Sequence, residues 1–202
     1  MHDAIFQSYL DLQKTLGQVS PCKWEQDIDF TFGSLSSEKL DMSYLNTLIL
    51  FNDTSAHYDW IKQKLSLQQV SPQSIEIYSP SSYFSNDKPP CIENYQGPLH
   101  YAFYHCSLCS YNLADDNRIY SQVSCVRCER SLRDWVFIQS SYHPSIILSL
   151  KSYIDYLQSL LELTSSIELH LIYDKGIAVN ASLLFMSDHA CYGGWNVTLS
   201  EY

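Results

Sequence analysis

Two Cys-x2-Cys pairs, Cys106-Ser107-Leu108-Cys109 and Cys125-Val126-Arg127-Cys128, constrain this chain more than any other feature. Zinc favours four soft thiolates in a tetrahedron, about 2.3 Å from the metal, and a two-residue gap lets a tight knuckle aim two sulfurs at one point. The fifteen residues 110–124 hold Asp115-Asp116-Asn117 as a turn and Arg118 to Val123 as a returning strand, the hairpin spacing of a zinc ribbon. The expectation is one structural Zn2+ ion bound by Cys106, Cys109, Cys125 and Cys128. A site closed by four thiolates keeps no position for substrate, so it supplies folding free energy rather than catalysis. His105 reads as a satisfied strand histidine. Cys22, Cys91 and Cys191 lack partners at ligand spacing and read as ordinary thiols.

Seven cysteines, four of them at metal spacing, fit a reducing compartment better than a disulfide scaffold. The expected location is therefore the nucleus or the cytosol. The first residues lack the charged-then-apolar pattern of a secretory leader, and no apolar stretch approaches the roughly 20 residues that span a bilayer, so no membrane contact is expected. Glycosylation triplets at Asn52, Asn180 and Asn196 then read as chance matches.

Along the chain, Ile5, Tyr9, Leu12 and Leu16 recur at helical steps before Gly17, and Pro21 starts a new element. Ile28 to Phe32 and Leu48 to Phe51 read as strands with a Ser-rich loop between them. Thr54 to Leu67 reads as a helix and Ser74 to Tyr78 as a strand. Pro80, Pro89, Pro90, Gly97 and Pro98 mark the stretch 79–98 as a linker. Leu99 to Tyr104 then leads as a strand into the cysteines and Leu132 to Gln139 leaves them as another. Pro144 opens an amphipathic helix with the stripe Ile147, Leu150, Ile154, Leu157 and Leu161. Ile167 to Tyr173, a turn at Asp174-Lys175-Gly176, Ile177 to Phe185 and Trp195 to Leu199 complete a hairpin with an edge strand. The expected fold class is mainly β with α. Residues 1–95 form one segment and 96–202 a second domain, with the ribbon at 104–130.

All four arginines, Arg118, Arg127, Arg130 and Arg133, fall beside the cysteines. One reading is charge compensation, because a four-thiolate zinc centre is formally dianionic. The other joins these arginines to Tyr120 and Trp135 as a small surface for phosphate contact and base stacking on single-stranded DNA. A net charge of −10 confines any such contact to a local patch, since proteins that hold nucleic acid through phosphate neutralisation carry excess Lys and Arg. Enzyme signatures are missing: the chain has no His-x-Glu with Pro-Cys-x-x-Cys, no phosphate-binding glycine loop and no HExxH.

A strand entering Cys-x2-Cys, a long hairpin, a second Cys-x2-Cys, and then strand, helix and closing hairpin resembles the OB folds that carry an inserted zinc ribbon. The pattern over positions 97 to 202 is similar to the C-terminal domain of the large subunit of replication protein A, and more so to the C-terminal region of the shieldin complex subunit 2 family. That resemblance implies an OB-like antiparallel barrel with an inserted four-cysteine ribbon, preceded by an α/β segment or an incomplete OB segment. It further implies a non-catalytic subunit of a double-strand-break repair complex that promotes end protection and non-homologous end joining. Its implied partners are the protein subunits of that complex, with single-stranded DNA as a further ligand. The alternative is a zinc-ribbon interaction module of transcription or RNA-processing machinery.

Overall fold

The computed structural model describes residues 2–26, 32–50, 74–77, 123–188 and 190–201. The chain is mixed α and β, with helix α1 (His2–Leu16) followed by β1 (Cys22–Gln26), β2 (Phe32–Ser37), β3 (Thr47–Leu50) and β4 (Ser74–Ile77). These strands form one sheet in the order β1-β2-β3-β4, antiparallel except for the parallel pair β3/β4. A second sheet, β5-β6-β7-β8, is antiparallel throughout; its strands are β5 (Val123–Cys125), β6 (Ile167–Asp174), β7 (Ile177–Met186) and β8 (Cys191–Thr198). Helices α2 (Glu129–Tyr142), α3 (Ser145–Leu148) and α4 (Leu150–Leu163) lie between β5 and β6 in the chain. Among the described residues neither sheet closes into a barrel.

Alternation sets the second sheet. Ile167, Leu169 and Leu171 of β6 and Val179, Ala181, Leu183 and Phe185 of β7 are buried, while Glu168, His170 and Ile172 take the opposite face. Gly176 stands at φ +83° after Lys175 at φ +50°, the left-handed pair that a two-residue hairpin turn requires.

Helix α2 packs on the buried face. Leu132, Trp135, Val136 and Gln139 recur at steps of three, one and three, a helical stripe, and all are buried. The expected strand from Leu132 to Gln139 is therefore a helix; the unbroken apolar run Trp135 to Ile138 imitates a buried strand, whereas burial follows the 3.6-residue period. The register of β7 against β8 slips at Ser182, and Trp195 adopts φ +50°. Helix α2 supplies donors for the carbonyls this irregularity frees: the Trp135 indole N–H donates to Ser182 O at 3.0 Å, and Gln139 Nε2 donates to Trp195 O at 2.5 Å.

The helix after Pro144 breaks at Ser149 into α3 and α4. Its buried stripe is Ile146, Tyr153, Tyr156, Leu157 and Leu160, so Leu157 keeps its expected place while Ile147 and Leu150 face outward. A second correction concerns 33–37, expected as part of a Ser-rich loop: these residues belong to β2, and Leu35 is buried. The turn after β2 is closed by buried Asn46, whose Oδ1 accepts from Ser37 N–H at 2.9 Å and whose Nδ2 donates to Leu40 O and Met42 O.

One hydrophobic core joins the described parts of both segments. Leu12, Leu16, Leu35 and Met42 share it with Trp135, Tyr153, Leu157 and Leu169. Tyr156 donates to Leu16 O at 2.9 Å, and the hydroxyls of Tyr44 and Tyr153 lie 2.7 Å apart. The expected boundary at 95/96, the strand at 28–31, the helix at 54–67, the linker at 79–98 and the strand at 99–104 lie outside the described residues.

Candidate metal centre

Strand β5 carries Cys125 into register with His170 of β6, so the two side chains stand on one face of the sheet. Glu168, two residues before His170, shares that face. Cys125 Sγ lies 3.8 Å from His170 Nε2, and the same nitrogen lies 2.8 Å from Glu168 Oε2. The three ligand atoms fall within 4.8 Å of one another, and all three residues are half-buried. A thiol, an imidazole and a carboxylate converging this way form a group that could hold a metal ion.

The electrostatics of the group are mutual. The His170 hydrogen bond, with its charge as a lesser effect, holds the Glu168 carboxyl below its ordinary range. Partial burial, then the neighbouring Glu168 charge, pushes the Cys125 thiol up, and the Arg127 guanidinium works against that rise. A cation bound at the sulfur would reverse the balance and favour the thiolate.

Cys128 stands at the N-cap of α2 and faces a different set of groups. Ser131 Oγ accepts from the Cys128 and Arg127 amides at 3.2 Å, donates to Cys128 O at 2.9 Å and lies 3.4 Å from Cys128 Sγ. These contacts, led by the Ser131 side chain, lower the thiol's pKa from its ordinary value, with a small contribution from the Arg130 charge. Two shallow grooves, of about 500 and 470 Å³, both reach Cys128.

Of the four expected zinc ligands, Cys125 and Cys128 are placed on either side of the β5–α2 junction, and Cys106 and Cys109 lie outside the described residues. Arg118, Tyr120, His105 and Cys91 also lie outside them. Arg127 and Arg130 are exposed beside the two thiols, whereas Arg133 is tied to Glu129 through Nη2 at 2.7 Å and Nε at 3.1 Å. Trp135 is fully buried with its N–H engaged, which corrects its reading as a stacking platform: no face of the ring is open to a base. Cys22 is buried and Cys191 exposed, both as free thiols.

His170 and Glu168 escaped the sequence reading. Their only trace is an i, i+2 pair on the polar face of an alternating strand, and nothing in the sequence aligns that face with Cys125. Among the described residues no helix is long and apolar enough to cross a membrane. The fold and this site define a mixed α and β protein with a Cys/Glu/His group able to take a metal ion. No protein-family model, curated protein or solved structure matches the chain.

Proposed function

We propose that this chain is a non-catalytic docking subunit of a complex that protects broken DNA ends, of the shieldin kind, built on an OB-like barrel with an inserted zinc ribbon. In this reading Cys106 and Cys109 complete the metal site begun by Cys125 and Cys128, and the zinc ion is structural. The location is nuclear, and the partners are protein subunits of the complex.

The observation that carries the docking role is the elbow around α3. Tyr142, Ile147, Leu148 and Leu150 are all exposed there, Leu148 to 89%. Scattered single apolar residues are ordinary on a surface, but large ones gathered at one elbow mark a protein-interaction face. An acidic chain suits a protein partner better than a polyanion. A contact with single-stranded DNA is a secondary part of the proposal and rests on exposed Arg127 and Arg130.

The test is size-exclusion chromatography with light scattering, in which the chain is mixed with the purified remaining subunits of shieldin. The expected result is a stoichiometric complex that Leu148→Glu abolishes while the variant's melting temperature stays at the wild-type value. Failure of the wild-type chain to bind any of those subunits would defeat the assignment. Fluorescence anisotropy with labelled single-stranded DNA across a salt series decides the secondary part: binding that Arg127→Glu with Arg130→Glu removes supports it, and no wild-type binding ends it.

A further inference from the structure

We propose that a zinc-class divalent ion is held by Cys125 Sγ, His170 Nε2 and the Glu168 carboxylate, clamping β5 onto β6. This ligand set competes with the four-thiolate ribbon of the proposed function for Cys125 and needs none of the other three cysteines.

The distances already approach those of coordination. With metal–sulfur and metal–nitrogen bonds of about 2.3 and 2.0 Å, tetrahedral geometry separates the two ligand atoms by about 3.5 Å. The observed separation of Cys125 Sγ and His170 Nε2 is 3.8 Å. For nitrogen and oxygen ligands the same geometry gives about 3.3 Å, whereas His170 Nε2 and Glu168 Oε2 stand at hydrogen-bond distance, 2.8 Å. An ion entering in place of the proton between them needs only a small outward turn of the carboxylate. Binding moves the neutral imidazole's proton to Nδ1 and displaces the thiol proton to solvent, so metal uptake releases acid. A thiolate and an imidazole together select zinc or cobalt over magnesium or calcium, which favour all-oxygen sites.

The position in the sheet gives the clamp a purpose. Among the described residues strand β5 runs Val123–Cys125 and lies at the edge of its sheet. Cys125 and His170 are direct cross-strand partners, and the Val126 amide continues the ladder to Leu169 O at 2.8 Å. A metal bound across that pair would tie the strand, and with it the N-terminus of α2, to the three-stranded remainder of the sheet.

The test is titration of the chelator-stripped full chain with Co2+, read by thiolate charge-transfer absorption and by competition with a chromophoric chelator. Hydrogen exchange of the Ser124 to Val126 amides is measured in parallel, with and without Zn2+. His170→Gln and Glu168→Gln are each expected to weaken Co2+ binding by about 10-fold or more, and Zn2+ is expected to slow exchange in β5 of the wild-type chain only. His170→Cys is expected to restore tight binding and add thiolate absorption, which guards against a His170→Gln variant that merely folds poorly. Unchanged Co2+ affinity in His170→Gln overturns the proposal. The double variant Cys106→Ser, Cys109→Ser separates the two sites. If it loses cobalt while His170→Gln keeps it, the four-thiolate ribbon stands and this inference falls. If it keeps cobalt while His170→Gln loses it, the reverse holds. Loss in both would make His170 a ligand alongside the ribbon thiolates and would overturn a site that needs none of the other three cysteines.

Discussion

Replacing Trp135 by alanine separates a core residue from a binding residue. The side chain has no exposed surface, packs 6.2 Å from the Trp195 ring centroid, and donates its indole N–H to Ser182 O at 3.0 Å. Truncating a fully buried Trp typically costs about 3–5 kcal/mol, through lost transfer energy and the cavity left behind. Losing the donor adds about 1–3 kcal/mol if Ser182 O finds no new partner. The combined loss is a large share of the roughly 5–15 kcal/mol that holds an ordinary domain together. At about 2–4 °C per kcal/mol for a chain of this size, even the lower figure moves the melting temperature by about 10 °C. Differential scanning calorimetry and urea unfolding of Trp135→Ala measure the change, and Trp135→Phe, which fills most of the space but lacks the N–H, reports the hydrogen bond separately. A Trp135→Ala protein that melts within about 1 °C of wild type yet has lost affinity for single-stranded DNA would refute the core assignment and restore the stacking role.

Two further perturbations test the join between the N-terminal helix and the rest of the core. Burial pushes the Cys22 thiol from its ordinary 9.0 up to about 11, partly offset by a hydrogen bond with Tyr156. Below pH 9 the thiol is protonated in both states and stability is intact; between pH 9 and 11 the unfolded chain ionises first, and up to about 2–3 kcal/mol is lost. Urea midpoints at pH 8.5 and 10 should therefore diverge more for wild type than for Cys22→Ala, and equal divergence would show that the thiol is not desolvated. Gly17 is the second case: a Cβ there would sit 2.5 Å from both Trp24 N and Trp24 Cβ, so Gly17→Ala must push α1 away from β1. Overpacking of this kind costs about 1–3 kcal/mol, and a wild-type urea midpoint for Gly17→Ala would mean that helix and strand approach less closely than these distances require.

The elements legible in the sequence are those where one periodicity acts alone. Helix α1 is set by the spacing of Tyr9, Leu12 and Leu16 up to Gly17, and the β6–β7 hairpin by strict alternation on either side of Lys175-Gly176. Helix α2 was not legible as a helix because Trp135-Val136-Phe137-Ile138 satisfies two templates. Only the exposure of Phe137, at 68%, breaks the strand pattern, and exposure is a property of the packed chain. The same limit applied after Pro144, where the pair Ile146/Ile147 allows either residue to start the stripe. Burial of Tyr153 and Tyr156 against Tyr44 and Leu16 settles it in favour of Ile146, through contacts more than a hundred residues away in sequence.

The candidate metal centre shows the same division between local and non-local information. Cys-x2-Cys is a local signal, since two residues are enough to aim two sulfurs, and it marks Cys125 and Cys128 without help from the fold. The groups that surround each sulfur are decided by the elements on either side of the knuckle. A helix starting at Glu129 makes Cys128 an N-cap and turns its thiol toward Ser131, while β5 turns Cys125 toward His170. The strand expected after Cys128 would have imposed neither. The register of β5 on β6 adds the rest, because a slip of one residue would oppose Cys125 to Leu169 or Leu171 and aim the sulfur at a buried apolar face. Pairing of the edge strand and access of Cys125 to an imidazole are therefore one structural fact. A metal bound at Cys125 would accordingly be felt first in the protection of β5, before any change in the core.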